Sequence, residues 1–109
     1  MKKAKQLEHR GVMVDLARER SFHLGWMLGL IRDLPRHGTN ELHLYLENRF
    51  AFPSLPEAYP KGSLKPSHVK VLEREAKRAG VALVPHLNLL GHNENLLRRP
   101  KFRHLRVEA

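Results

Sequence analysis

Asn40-Glu41-Leu42-His43-Leu44-Tyr45-Leu46-Glu47-Asn48 alternates between apolar and polar residues along its whole length. In an extended strand Leu42, Leu44 and Leu46 share one face, and His43, Tyr45 and Glu47 share the other. The leucine face needs a cover, and the flanking sequence offers two. Before it, Leu24, Met27, Leu28, Ile31 and Leu34 recur at three- and four-residue spacing, an amphipathic helix. After it, Val69, Leu72, Ala76 and Ala79 form a second helical stripe. Outside those helices lie two more extended stretches. Val12 to Ala17 puts Val12, Val14 and Leu16 on one face and Met13, Asp15 and Ala17 on the other. Val81 to Leu87 continues so that Val84, His86 and Asn88 share a face. The order is β-α-β-α-β, which favours parallel strands joined by helical crossovers. No two-residue hairpin signal supports an antiparallel alternative.

The expected fold class is therefore α/β, a partial TIM-type (β/α) barrel with three parallel strands alternating with helices. A complete eightfold barrel needs roughly 200 to 250 residues, so the 109 residues of this chain hold less than half of one. Local punctuation agrees. Ser21 is the expected N-cap of the first helix; Pro35 ends or kinks it, and Gly38 stops it. Pro66 suits a first helical turn and Gly80 a C-terminal stop, whereas Lys65 is a poor N-cap. The loop from Asn48 to Lys65 is long, with Pro53, Pro56, Pro60 and Gly62, and Phe50, Phe52 and Tyr59 argue that part of it packs. Gly91-His92 leads into a short helical stretch, Asn93 to Arg98. Residues 1–9 read as a polar lead-in, 10–100 as the barrel segment and 101–109 as a basic tail.

Composition excludes several function classes. There is no cysteine, hence no disulfide and no thiolate metal site, which fits a cytoplasmic chain. No apolar run approaches the ~20 residues of a membrane span, and the basic start, Met1-Lys2-Lys3-Ala4-Lys5, lacks the apolar stretch of a secretory signal. The eight histidines are scattered, so neither a metal site nor a cofactor is expected. There is no Gly-rich phosphate loop, no Gly-x-Ser-x-Gly elbow and no His-Glu-x-x-His. The net charge of +9 favours polyanions. The basic residues are dispersed, however, and alternate with acids, as in Glu73-Arg74-Glu75-Ala76-Lys77-Arg78. That is the pattern of a solvated helix face, and any nucleic-acid binding is expected to be non-specific.

Parallel strands carry their chemistry at their C-terminal ends. The polar residues there are Asp15 and Arg18, then Glu47, Asn48 and Arg49, then His86, Asn88 and His92. Such a rim suits sugars, because carboxylate, amide and guanidinium groups form directional bonds to hydroxyls. Asp15 and His43 have an equally good structural reading, Asp15 as a stabiliser of a buried network and His43 as a satisfied core histidine.

Three ordered motifs resemble the catalytic barrel of the family 20 glycoside hydrolases, the β-N-acetylhexosaminidases. Arg10-Gly11-Val12-Met13-Val14-Asp15-Leu16-Ala17-Arg18 is similar to that family's Arg-Gly-x-Met-x-Asp-x-x-Arg strand. Asn40 to Leu46 is similar to its Asn-x-Leu-His-Leu-His-Leu strand, with Tyr45 in place of the second histidine and Glu47-Asn48 where acids follow. Val84-Pro85-His86-Leu87-Asn88-Leu89-Leu90-Gly91-His92 resembles its Val-x-Pro-Glu-Ile-Asp-x-Pro-Gly-His strand, with His86 and Asn88 replacing the two acids. The resemblance implies an amino-sugar glycan as partner. It also implies sugar contacts from Arg10, Asn48, Asn88 and His92, with Asp15, Arg18, His43, Glu47 and His86 in support.

The family's chemistry uses an adjacent Asp-Glu pair at the fourth strand. The Glu protonates the leaving oxygen, and the Asp orients the substrate acetamide that attacks the anomeric carbon, a departure from the usual two-carboxylate scheme. This sequence contains no Asp-Glu pair, so no catalytic residue is assigned and the chain alone is expected to be inactive. The sequence thus reads as a truncated or split segment of such an enzyme, assembling as a homo-oligomer or with a complementing C-terminal segment. The competing readings are a small basic nucleic-acid-binding module and a self-associating module.

Overall fold

The computed structural model describes residues 5–18, 22–89 and 91–107. Its elements follow the expected order: β1 (Gly11–Asp15), α1 (Leu24–Asp33), β2 (Glu41–Tyr45), α2 (Pro66–Ala79), β3 (Ala82–His86) and a short α3 (Glu94–Leu97). The strands form one parallel sheet in the order β1-β2-β3. Each is a residue or two shorter than its alternating pattern, although Leu16 N–H still donates to the Tyr45 carbonyl (2.9 Å) and Leu46 N–H to that of His86 (3.2 Å).

The leucine face of β2 forms the centre of the core. Leu42, Leu44 and Leu46 are buried, together with Met27, Ile31 and Leu34 from the first helical segment and Leu72 and Ala76 from α2. Leu42, Ile31 and Leu72 are wholly inaccessible, and burying a side chain of this size is worth roughly 1.5–3 kcal/mol. α1 and α2 both lie on this face and are bridged on their outer surface by Arg32 Nε and Glu75 Oε1 at 2.7 Å. Among the described residues no second layer covers the opposite face, and Met13 there is 59% exposed. On the helix side, beyond β2, an apolar cleft of about 270 Å³ opens between α2 and β3, lined among others by Leu44, Leu64, Leu83 and Leu87.

Helix ends show how local chemistry replaces expected signals. Ser21 lies outside the described residues. The N-cap of α1 is His23, whose Nδ1 accepts the Trp26 N–H at 3.0 Å. Pro35 does not kink the chain away; α1 tightens into a 3₁₀ turn over Leu34–His37, where a proline lacking its N–H is tolerated near the start. Gly38 (φ 74°) and Gly80 (φ 73°) end the two helical segments in the left-handed conformation, which glycine adopts without a Cβ clash. The weakness of Lys65 as a cap is offset by His68 Nδ1, which reaches back to accept the Lys65 N–H at 3.1 Å.

The long loop after β2 is partly packed. Ala51 N–H donates to the Leu64 carbonyl (2.8 Å) and Leu64 N–H to that of Arg49 (2.9 Å), tying the two ends of the loop together. Phe50 and Phe52 meet edge to face at 4.6 Å. Residues Pro100–Leu105 form a 3₁₀ segment, held to the loop by Lys101 Nζ and Glu57 Oε1 at 2.8 Å. That bond holds the Glu57 carboxyl below its ordinary value.

Candidate functional site

The register sorts the polar residues by height. Gly11, Glu41 and Ala82 form the first row of the sheet, and Asp15, Tyr45 and His86 the last. Arg10 precedes the first row. Its guanidinium donates to the carbonyls of Gly38 and Leu7, and its own N–H is accepted by Asn40 Oδ1 at 2.8 Å. Five residues of strand separate it from the opposite rim, about 16 Å. Arg10 is therefore the exception among the residues expected to contact sugar: it clamps the N-terminal end of the sheet and is not brought together with Asn48, Asn88 or His92.

The other polar residues gather at or below the C-terminal rim. Arg18 Nη1 pairs with Glu47 Oε2 at 2.8 Å, and the Glu47 side chain is only 10% exposed. Asn88 Nδ2 donates to the Tyr45 hydroxyl at 2.9 Å. Asn48 and Asn88 line a small hollow of about 190 Å³, floored by Phe50 and Phe52. Asp15 is used locally, its Oδ1 accepting the Ala17 N–H at 2.8 Å where the strand ends. Asp15 is exposed, so this local bond is not the buried network considered for it.

Down the barrel-side face of the sheet runs a chain of imidazoles and a carboxylate. His9 Nδ1 lies 2.8 Å from Glu41 Oε2, His43 Nε2 lies 3.3 Å from Glu41 Oε1, and His43 Nδ1 lies 2.8 Å from His86 Nε2. The bond from His9, followed by that from His43, holds the Glu41 carboxyl below the ordinary glutamate value. His43 thus lies in the middle row of the sheet and His86 in its last row, joined by the bond between their rings.

Among the described residues, two other than glycine adopt left-handed backbone: Glu47 (φ 51°) and His92 (φ 55°). They are partners. His92 Nδ1 stands 3.9 Å from Glu47 Oε1, and Glu94 joins them so that one ligand atom of each lies within 4.8 Å of the others. Sequence reasoning passed over Glu94. The signal available was its position two residues after His92, at the start of a helical turn.

No protein-family model matches the chain, and no curated protein is recognisably similar to it. Solved structures are. The crystal structure of a family 20 exo-β-N-acetylglucosaminidase from Vibrio harveyi, in complex with N-acetylglucosamine, superposes on 95% of this chain with a TM-score of 0.77 at 22% identity. The fold is that of part of a family 20 barrel. The X-ray structure of the Flavobacterium johnsoniae chitobiase matches 82% of the chain (TM-score 0.74, 20% identity), and the β-N-acetylhexosaminidase of Streptomyces coelicolor A3(2) matches 83% (TM-score 0.67, 21% identity). The chain spans 20%, 15% and 21% of those three proteins, respectively. The likeness expected from the three strand motifs therefore holds at the level of fold.

Proposed function

We propose that this chain supplies part of the glycan-binding rim of a β-N-acetylhexosaminidase-like glycoside hydrolase and does not cleave glycosides by itself. The observation that supports this reading is the common C-terminal end of the parallel strands, where Arg18 pairs with Glu47 and Asn88 donates to the Tyr45 hydroxyl. The fold is shared with an enzyme whose structure holds N-acetylglucosamine. Arg18, Asn48, Asn88 and His92 supply the polar contacts. The cationic place belongs to Arg18 in preference to Arg10, because only Arg18 stands at that rim.

Hydrolysis needs a carboxylic acid within hydrogen-bond reach of the leaving oxygen. The rim acid, Glu47, is already paired with Arg18, and the sequence has no Asp-Glu pair. The missing wall of the pocket comes from a complementing segment or a second copy of the chain. The test is a chromogenic N-acetylglucosaminide assay together with an NMR titration of N-acetylglucosamine. The expected result is no turnover and a Kd weaker than about 1 mM, with shifts confined to Asn48, Asn88 and His92. Turnover that disappears in Arg18→Ala, or sub-millimolar binding, overturns the reading of a partial, non-catalytic site.

A further inference from the structure

We propose that Glu47, His92 and Glu94 form a binding site for a divalent transition-metal ion of the zinc type. The three residues come from the end of β2 and from the turn into α3, and their ligand atoms already lie within 4.8 Å of one another. Zinc holds nitrogen and carboxylate oxygen at about 2.0–2.2 Å, which places neighbouring ligands about 3–3.5 Å apart. The 3.9 Å between His92 Nδ1 and Glu47 Oε1 needs only a small closure. His92 and Glu94 are exposed and free to make it.

The second observation concerns Glu47 alone. Its side chain is nine-tenths buried, and its two oxygens are treated differently. Oε2 receives the Arg18 guanidinium at 2.8 Å. Oε1 receives no hydrogen bond from any described residue and faces His92. Oε1 is therefore open to a cation, while the bond to Oε2 holds the carboxylate in place. Arg18 then plays the part of an outer partner that fixes the orientation of a ligating carboxylate. The left-handed backbone at both Glu47 and His92 points the same way, because two such conformations persist only where the surroundings enforce them.

The donor set decides the class of ion. One imidazole with two carboxylates suits zinc and its first-row neighbours, whereas magnesium and calcium prefer oxygen alone. Three protein ligands leave a coordination position open to a water or hydroxyl oxygen. The other imidazole–carboxylate group, His9, Glu41 and His43, differs in kind: both Glu41 oxygens are already engaged at 2.8 and 3.3 Å.

The site does not depend on the glycan reading, and its test uses no sugar. The full chain is titrated with zinc chloride, following histidine ring signals by NMR and the heat of binding by calorimetry. The expected result is one equivalent bound, with the His92 ring shifted and the other histidine rings unmoved, and no such shift with magnesium chloride. His92→Asn, which tolerates the left-handed backbone, and Glu47→Gln each weaken zinc binding at least tenfold. His9→Gln, at the other end of the sheet, leaves it unchanged. Glu94→Gln, at an exposed position, also weakens binding and serves as the deciding variant if either of the first two loses its fold. Unchanged affinity in the folded variants, shifts spread over the histidines, or no saturation by about 1 mM zinc overturns the proposal.

Discussion

The imidazoles of His43 and His86 meet across β2 and β3, Nδ1 to Nε2, at 2.8 Å. Two ring nitrogens at that distance share one proton, so one ring donates and the other accepts. A net hydrogen bond of this kind contributes about 0.5–1.5 kcal/mol. Urea unfolding of His43→Ala, His86→Ala and the double variant should give single losses whose sum exceeds the double loss by about that amount. Strict additivity would show that the rings are neighbours without a bond.

Glu41 links stability to acid. Its carboxyl is held below the ordinary value of 4.5 by the bond from His9 and then that from His43. A depressed carboxylate contributes stability above its unfolded value, and that contribution is lost as the pH falls through the folded one. The melting temperature of the wild-type chain should therefore drop more steeply below about pH 4.5 than that of Glu41→Gln. Parallel curves for the two proteins would contradict the assignment.

Leu42 is wholly buried at the middle of the core. Leu42→Ala should cost about 2–5 kcal/mol in chemical unfolding, the transfer loss plus a cavity. Leu89→Ala, at a side chain 86% exposed, should change stability by less than about 0.5 kcal/mol. A small loss at Leu42 would mean that the leucine face is not the core.

Self-association follows from what the sheet leaves uncovered. Among the described residues, β1 and β3 each have one unpaired edge in the three-stranded sheet, and open edges invite pairing. Beside β3 the apolar cleft stays open, and beside β1 Trp26 is 57% exposed. Light scattering on the purified chain should show dimers or larger species, or a monomer that unfolds at low temperature. A monodisperse monomer with a sharp, high-temperature transition would count against this.

The net charge of +9 should give weak, sequence-independent binding to nucleic acid that falls steeply with salt. Fluorescence anisotropy with two unrelated oligonucleotides at two salt concentrations checks this. A sequence-selective complex that survives high salt would instead favour a dedicated nucleic-acid module.

Much of this architecture is legible in the sequence because it rests on short-range periodicity. The alternation of Leu42, Leu44 and Leu46 predicts which face is buried, and Gly38 and Gly80 mark the helix ends through a requirement for positive φ. The His23 cap was not legible, since an imidazole is a less usual cap than a hydroxyl, and Ser21 stood in the favoured place. The site was legible only in part. Asn48, Asn88 and His92 follow from strand polarity, whereas Arg10 was expected among the sugar contacts and its place before the first row of the sheet emerged only from the register. The Arg18–Glu47 pair, 29 residues apart, and the approach of Glu94 depend on how two strand ends and a turn come to rest in space. Periodicity carries no such information.

The central position of β2 has a consequence for how the molecule opens. Only this strand has both neighbours, so its amides are flanked by partners on either side and capped by both helices. In hydrogen exchange the amides around Leu42 to Leu44 should be the last to acquire deuterium, opening only with the whole molecule. Those of β1 and β3 should exchange first, through fraying from the sides. Ordered this way, protection maps the sheet from its middle outward, and any strand added at either edge would slow the edge beside it without altering the centre.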